Sequence, residues 1–170
     1  MLTKKGKYGL KALIHLARDN SGQTALGSEI ARANNIPKKF LDAILGELRN
    51  HGLIYARKGP GGGYALARSP ADITLGEAVR VLDGPFAPLP CASRTAYAPC
   101  DDCVSVAECA VRIAMLQVRD AMAEILDNTS LQEMVKESAS AKRRRLKALT
   151  AAIATDREPV RRRARRARVE

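Results

Sequence analysis

The run Gly59-Pro60-Gly61-Gly62-Gly63 restricts the fold more than any other feature, because glycine and proline break helices and strands and force the chain to turn. Two short segments that carry apolar and aromatic residues flank this run, at residues 53–58 and 64–67. Two short strands around a Gly/Pro turn are typical of a β-hairpin. The sequence therefore predicts a hairpin over about residues 53–67.

Helical spacing of apolar residues predicts three helices ahead of the hairpin, at about residues 3–19, 28–33 and 37–50. The third opens at Pro37 and carries an i, i+3, i+4, i+7 stripe, formed by Leu41, Ile44, Leu45 and Leu48. A tight turn containing asparagine joins the last two helices, which is the pattern of a helix-turn-helix. With the hairpin after it, the segment 1–68 is predicted to be a winged helix-turn-helix, mainly α with a small β-hairpin wing.

The glycine-rich turn has two rival interpretations. A phosphate-binding loop needs a Gly-Lys-Ser/Thr ending and a following helix, and a dinucleotide site needs a strand, a turn and a helix. Neither context surrounds this turn. We expect instead that the wing approaches a DNA backbone closely and contacts it through Arg57, Lys58, Gly61 and Gly62.

Charge is distributed in three blocks along the 170 residues, within a net charge of +11. Residues 1–68 hold twelve Lys/Arg against four Asp/Glu, residues 69–135 hold four against ten, and residues 136–170 hold thirteen against four. A basic head indicates a nucleic-acid partner. The last block has few large apolar residues and predicts a largely disordered tail, either merely solvated or adding non-specific affinity for phosphate.

Residues 69–135 are predicted to form a second region that combines a cysteine loop with helices. Thr74 and Glu77 have the spacing of a capping box at the start of a helix. A long helix over about 107–127 carries more apolar residues than the head needs to cover, and a last short helix opens at Thr129. The long helix is predicted to form a homodimer interface, with a lone solvent-facing helix as the alternative.

All four cysteines lie within nineteen residues, at Cys91, Cys100, Cys103 and Cys109. The Cys-x-x-Cys step between the second and third lets two sulfurs converge on one metal ion. No apolar run reaches membrane-spanning length and no signal peptide is recognisable, so we expect a cytoplasmic protein without a membrane partner. Structural disulfides are disfavoured in that compartment, and thiolates are soft ligands, so the loop predicts metal binding or redox sensing.

Four features together carry a family resemblance: Lys-Gly-Lys-Tyr-Gly-Leu-Lys-Ala-Leu at 5–13, the wing at 57–64, Ile-Thr-Leu-Gly-Glu-Ala-Val at 73–79, and a cysteine loop before a long helix. Over about residues 1–135 the chain is similar to the IscR/NsrR/RirA-type regulators. The resemblance implies a dimeric winged-helix transcription regulator, expected to act as a repressor at a double-stranded DNA operator. Many members hold an iron–sulfur cluster through three cysteines beside the dimerisation helix; we expect a two-iron two-sulfur rather than a four-iron four-sulfur cluster.

Carried over by position, Cys91, Cys103 and Cys109 resemble the three cysteine ligands of the family. The loop between the first two is longer than usual and contains Cys100, which the commonest family pattern lacks. Where a histidine ligand stands in the family, three residues after the last cysteine, this chain has Arg112. A guanidinium stays protonated and cannot replace a neutral imidazole as a ligand.

The resemblance therefore leaves the fourth ligand open. Cys100 is the first candidate, because it would complete a four-thiolate site. A residue of the partner subunit and a small thiol are alternatives. His15 and His51 are weaker candidates, since histidines at such positions on helices are more often structural.

The helix-turn-helix pattern predicts which residues face DNA. Lys38, Lys39, Asp42 and Ala43 are expected in the major groove, and Arg57 with the wing in the minor groove or on phosphates. An acid repels phosphate and can accept a hydrogen bond from cytosine, so Asp42 is predicted to tune sequence choice. A solvated helix start is the alternative for the two lysines.

Sensing is expected to follow from a population shift. Cluster loss, nitrosylation or oxidation would reorganise the loop, and the long helix would transmit the change to the DNA-binding heads, reporting iron, cluster status, nitric oxide or redox state. A second hypothesis keeps the head and gives the cysteines zinc or a reversible thiol switch. An enzyme with a cysteine nucleophile is not supported, because no recognisable motif ties either histidine to a cysteine.

Overall fold

A computed structural model of the chain describes residues 2–18, 23–103 and 105–166. Its elements, in chain order, are α1 (Lys4–Arg18), α2 (Gly27–Asn34), α3 (Lys38–Asn50), β1 (Ile54–Arg57), β2 (Gly63–Leu66), α4 (Leu75–Asp83), a 3-10 turn (Pro90–Ala92), α5 (Ala110–Asp127) and α6 (Leu131–Arg166). The mainly α fold with a two-stranded wing is confirmed. No helix in the described part of the chain has both the length and the apolar content that a membrane span needs.

The core of the head is made by the apolar faces that helical spacing predicted. Leu13 of α1, Ile30 of α2 and Leu45 of α3 are completely buried where the three helices pack. Asn35 takes the left-handed conformation, with φ 53°, and so turns the chain sharply between α2 and α3. Pro37 lies one residue before α3 and its carbonyl oxygen accepts from Leu41 N at 3.1 Å, so it starts the helix from outside.

The wing is an antiparallel pair in which Ile54 faces Leu66 and Arg57 faces Gly63. Ala25, in the segment before α2, extends this sheet through two backbone hydrogen bonds with Tyr64, of 2.9 and 2.8 Å. Gly63 has φ 150°, and a Cβ on it would lie 2.6 Å from the carbonyl oxygen of Ala25. Only glycine fits at this crossing, which holds the wing against the chain leading into α2.

Close contact between α1 and α4 depends on two glycines of α1. A Cβ on Gly9 would lie 2.6 Å from Cδ2 of Leu82, and a Cβ on Gly6 would overlap the carboxylate of Asp83. That carboxylate also accepts from the backbone N of Thr3 at 2.8 Å. The helix that follows the head is therefore seated directly on the first helix of the head.

One of the two hydrogen bonds of the predicted capping box of α4 is present. Thr74 Oγ1 accepts from Glu77 N at 3.1 Å. The carboxylate of Glu77 pairs with Arg68 and does not return to the backbone of the cap residue. The side chain that would complete the box thus ties the end of the wing to α4.

By its internal contacts, the chain divides into two compact units between Met134 and Val135. Composition predicted a largely disordered tail over 136–170, whereas the structure continues α6 as far as Arg166. Alanine, lysine and arginine are frequent in this segment and have high helix propensity, which favours a helix although the side chains at 141–150 are all exposed.

Candidate cysteine site and nucleic-acid interface

The start of α3 presents the residues that sequence analysis predicted to face DNA. Lys38, Lys39, Asp42 and Ala43 are all exposed, on the side of the helix away from its buried stripe. Phe40 stands among them with 64% of its surface exposed. Sequence reasoning missed this residue, although a large aromatic outside the apolar stripe was a visible signal. An exposed ring on such a helix can make the apolar contacts that thymine methyl groups accept.

Two of the residues predicted to contact DNA, Lys38 and Asp42, neutralise each other's charge. Lys38 Nζ lies 2.5 and 2.6 Å from the carboxylate oxygens of Asp42, in an exposed i, i+4 ion pair. Exposed pairs of this kind are weak and exchange readily with solvent or a phosphate. Among the described residues, Lys39 has no such acidic partner, so it carries the uncompensated positive charge at the start of α3.

The wing offers a second exposed basic group. Arg57 and Lys58 are exposed at the end of β1, next to the turn that contains Gly61 and Gly62. Thr24 Oγ1 donates to the carbonyl oxygen of Gly61 at 2.6 Å, which fixes the turn to the segment before α2. The wing and α3 come close at Gly27, where a Cβ would lie 3.5 Å from the ring of Tyr64 and 3.7 Å from a carboxylate oxygen of Asp42.

The first cysteine is held by two arginines of α5. Cys91 lies in the 3-10 turn Pro90–Ala92 and is 2% exposed. Arg112 Nε donates to the carbonyl oxygen of Cys91 at 3.0 Å, and Arg119 Nη1 donates to that of Ala92 at 2.9 Å. Arg112, at the family's histidine position, therefore positions the loop backbone and does not act as a ligand.

Arg119 is a residue that the sequence did not single out. It is only 8% exposed, and its remaining donors bind Asp120, which also accepts from Arg94 at 3.2 Å. A buried guanidinium is stable only with its donors satisfied, and here the loop carbonyl satisfies one of them. Helical periodicity places Arg119 on α5 but carries no sign of the distant carbonyl that it binds.

The four thiols influence one another's acidity in pairs. Cys100 raises the pKa of Cys91, and Cys109 raises the pKa of Cys103 while Cys100 lowers it. Cys100 and Cys103 also lie with Asp102 in a group whose candidate ligand atoms are all within 4.8 Å of one another. Asp102 is a donor that sequence reasoning did not consider.

The thiols differ in acidity because their surroundings differ. The hydrogen bond with Cys100 raises the pKa of Cys91, and loss of solvation raises the pKa of Cys103. The pKa of Cys109 is lowered, chiefly by the backbone N–H of Arg112, with help from that of Val111. Cys109 directly precedes α5, where free N–H groups and the helix dipole stabilise a thiolate.

This set of donors fits a thiophilic metal centre. Cys100 and Cys103 share one group of candidate ligand atoms, and Cys91 and Cys109 each influence the pKa of, or are influenced by, a member of that group. Thiols supply the soft sulfur ligands that iron–sulfur clusters and structural zinc both take. Neither histidine belongs to the described group of candidate metal ligands. A ring nitrogen of His51 lies 2.9 Å from the carbonyl oxygen of Glu47, one turn earlier in the chain, and His15 lies in α1.

Apolar side chains along α5 remain open to solvent in the single chain. Val111, Ile113, Val118, Met122 and Ile125 are 39–66% exposed. Within α5, the residue that the structure buries is Arg119. A helix with this many exposed apolar groups is suited to pack against another surface.

The head consists of three helices and a wing, and basic groups are exposed on α3 and on the wing. These features define a winged-helix DNA-binding regulator. A model of the Rrf2 family, described as iron-dependent transcriptional regulators, matches residues 2–137. The chain belongs to the Rrf2 family, and the family resemblance inferred from its residues is confirmed.

Relatives agree with this assignment over most of their length. A putative HTH-type transcriptional regulator of Rhodobacter capsulatus, rrf2-like, is 44% identical over 138 residues, covering 79% of this chain and 92% of that protein. CymR, the global cysteine regulator of B. subtilis, has a solved structure with TM-score 0.68 and 33% identity, covering 81% of this chain and 97% of that one. The structure of T. potens IscR gives 0.66 at 27% identity, covering 83% and 90%.

Proposed function

We propose that this regulator controls DNA binding through an iron–sulfur cluster held by Cys91, Cys103 and Cys109, with Cys100 as fourth ligand. The observation that carries the proposal is the group of Cys100, Asp102 and Cys103, whose candidate ligand atoms all lie within 4.8 Å of one another. The pKa shifts that Cys100 causes at Cys91, and that Cys103 and Cys109 cause at each other, support a site that includes all four cysteines. A thiolate fourth ligand is consistent with Arg112, which supplies positive charge near the site while binding the loop backbone. When bound, the cluster would supply redox chemistry and reactivity toward nitric oxide.

The proposal includes a homodimer that pairs through α5. Its exposed apolar residues give such an interface its buried area, and two heads related by a two-fold axis would match a pseudo-palindromic operator. Because the cysteines lie immediately before this helix, a change at the cluster is expected to alter the spacing of the heads.

Within one chain, contacts connect the loop to the head in three steps. Arg112 and Arg119 bind the loop to α5. At the other end of α5, Asp127 accepts from Arg80 of α4 at 2.6 and 2.8 Å, and this pairing lowers the pKa of Asp127. Helix α4 in turn packs on α1. These contacts support the proposal that a change at the cysteine loop reaches the head through α5 and α4, provided that these packed helices can adopt two alternative arrangements.

Anaerobic purification tests the proposal directly. We expect coloured protein with visible absorption and with iron and sulfide in equal amounts, and DNA affinity that changes when the cluster is removed by a chelator or by nitric oxide. The same preparation, cluster-free but reduced, is the control for damage to the head. Colourless protein that binds DNA identically under all these conditions would contradict the proposal.

A thiol or zinc switch is the second candidate, favoured by the lowered pKa of Cys109. A lower pKa keeps the thiolate present at lower pH, so Cys109 is expected to alkylate below the pH at which Cys91 and Cys103 react. Mass spectrometry of metal-free protein after iodoacetamide at a series of pH values measures this order. Zinc at one equivalent per chain without iron would favour this candidate over the cluster.

The proposed DNA contacts predict opposite effects for two substitutions. Arg57→Gln removes a wing cation, so we expect weaker binding to a random-sequence duplex and a salt dependence lower by about one phosphate contact. Asp42→Asn removes a repelling carboxylate and releases Lys38, so affinity for the same duplex should rise several-fold. Fluorescence anisotropy at several salt concentrations measures both. An unchanged base preference for Asp42→Asn in a selection from random DNA would exclude its role in sequence choice.

A further inference from the structure

The part of α6 beyond the family match carries a dense group of cations without compensating acids. The family model ends at residue 137, and no acid occurs between Glu137 and Asp156. Five cations lie in this interval within six residues, at Lys142, Arg143, Arg144, Arg145 and Lys147. Intrahelical ion pairs need an acid three or four residues away, so these five positions cannot form one.

The helix arranges part of this charge on one side. At about 100° per residue, Arg143, Arg144 and Lys147 fall within one arc of about 100°. Leu149 lies on the opposite side and Leu146 about 60° beyond the edge of this arc, and they are 53% and 58% exposed. The three cations are exposed as well, so their charge is available to an external partner.

Like charges at helical spacing repel, and the repulsion is relieved when a polyanion approaches. These cations belong to the same chain as the winged-helix head, so binding of the head to a duplex tethers them to that duplex. Tethering raises the effective concentration of a second contact without any new specificity.

We propose that Arg143, Arg144 and Lys147 form a second, sequence-independent DNA contact that binds the phosphate backbone. This contact rests on DNA binding by the head but not on the cluster. It adds affinity equally on all sequences, because cations that contact phosphates carry no base readout. The partner is the anionic backbone of a duplex rather than a particular operator.

The triple variant Arg143→Gln, Arg144→Gln, Lys147→Gln in the full chain tests the proposal. Each phosphate contact contributes about 0.9 to the slope of log affinity against log salt, so three lost contacts lower the slope by about 2.7. Between 50 and 200 mM salt, wild type should therefore lose about 40-fold more affinity for a random duplex than the variant does. Glutamine has nearly the helix propensity of arginine, and circular dichroism checks that α6 is retained.

Arg143→Lys with Arg144→Lys is the matched control, because it keeps the charge and should keep the wild-type slope. A triple variant with the wild-type slope would overturn the proposal. So would a variant that loses binding to vesicles containing anionic lipid while its DNA binding is unchanged. Arg57→Gln in parallel reports on the head alone, so a failure of the α6 contact is distinguishable from a failure of the head.

Discussion

Cys103→Ala is expected to give colourless protein, with iron and sulfide reduced to background on anaerobic purification. Cys103 is central to the proposed site, because it shares the ligand group with Cys100 and its pKa is shifted by both Cys100 and Cys109. Its loss removes a proposed ligand and leaves three thiols, which cannot close a four-thiolate site. The DNA affinity of this variant should equal that of cluster-free wild type and should no longer respond to nitric oxide. Absorption spectra, iron and sulfide analysis and anisotropy titrations measure these properties.

Two further variants test the fourth ligand. If Cys100 is that ligand, Cys100→Ala should lower cluster occupancy or shift the absorption spectrum, while Asp102→Asn should do neither. The opposite result would assign the fourth position to Asp102, whose carboxylate lies in the same group as the Cys100 and Cys103 sulfurs. Thr95→Ala, in the same loop but without a thiol or carboxylate, is the matched control and should keep the wild-type spectrum. A normal cluster in Cys103→Ala would contradict the proposed ligand set.

Gly46→Ala is expected to raise the stability of the chain, and Gly9→Ala is expected to be less stable than Gly46→Ala. Both replace a helical glycine, so both gain about 1 kcal/mol of helix propensity. A Cβ on Gly46 meets no atom within 4 Å, whereas a Cβ on Gly9 overlaps the buried side chain of Leu82. Overpacking of this kind costs about 1–3 kcal/mol. Gly46→Ala should therefore stabilise the chain and Gly9→Ala should lie about 1–3 kcal/mol below it.

Urea denaturation followed by circular dichroism measures this difference, because the propensity gain is common to both variants and cancels. Gly9→Ala should also weaken the response of DNA binding to the cluster, since α4 would be displaced from α1. Equal stability of the two variants would show that the contact between α1 and α4 adjusts without cost. In that event the contact between α1 and α4 would not connect the cysteine loop rigidly to the head.

Patterns of short range predicted most of the head. The apolar stripe of α3, the Gly/Pro turn and the Asn-containing turn each act over a few residues, and each has its expected conformation. Predictions failed where a competing partner came from elsewhere in the chain. Glu77 has the spacing to complete its capping box, but Arg68 is nine residues away and takes its carboxylate instead. Spacing does not encode such competition.

Some features of the cysteine site could likewise be predicted from the sequence, and others depend on contacts between distant residues. Residue identity was enough to predict the class of the protein, the four candidate ligands and the absence of a histidine at position 112, because it decides which atoms can bind a metal. Packing in three dimensions was needed to show that Arg112 and Arg119 hold the loop on α5 and that Asp102 joins Cys100 and Cys103 in one group. These contacts join residues 21 and 27 positions apart. A contact at that separation depends on how helices pack in space, which no local pattern of residues specifies.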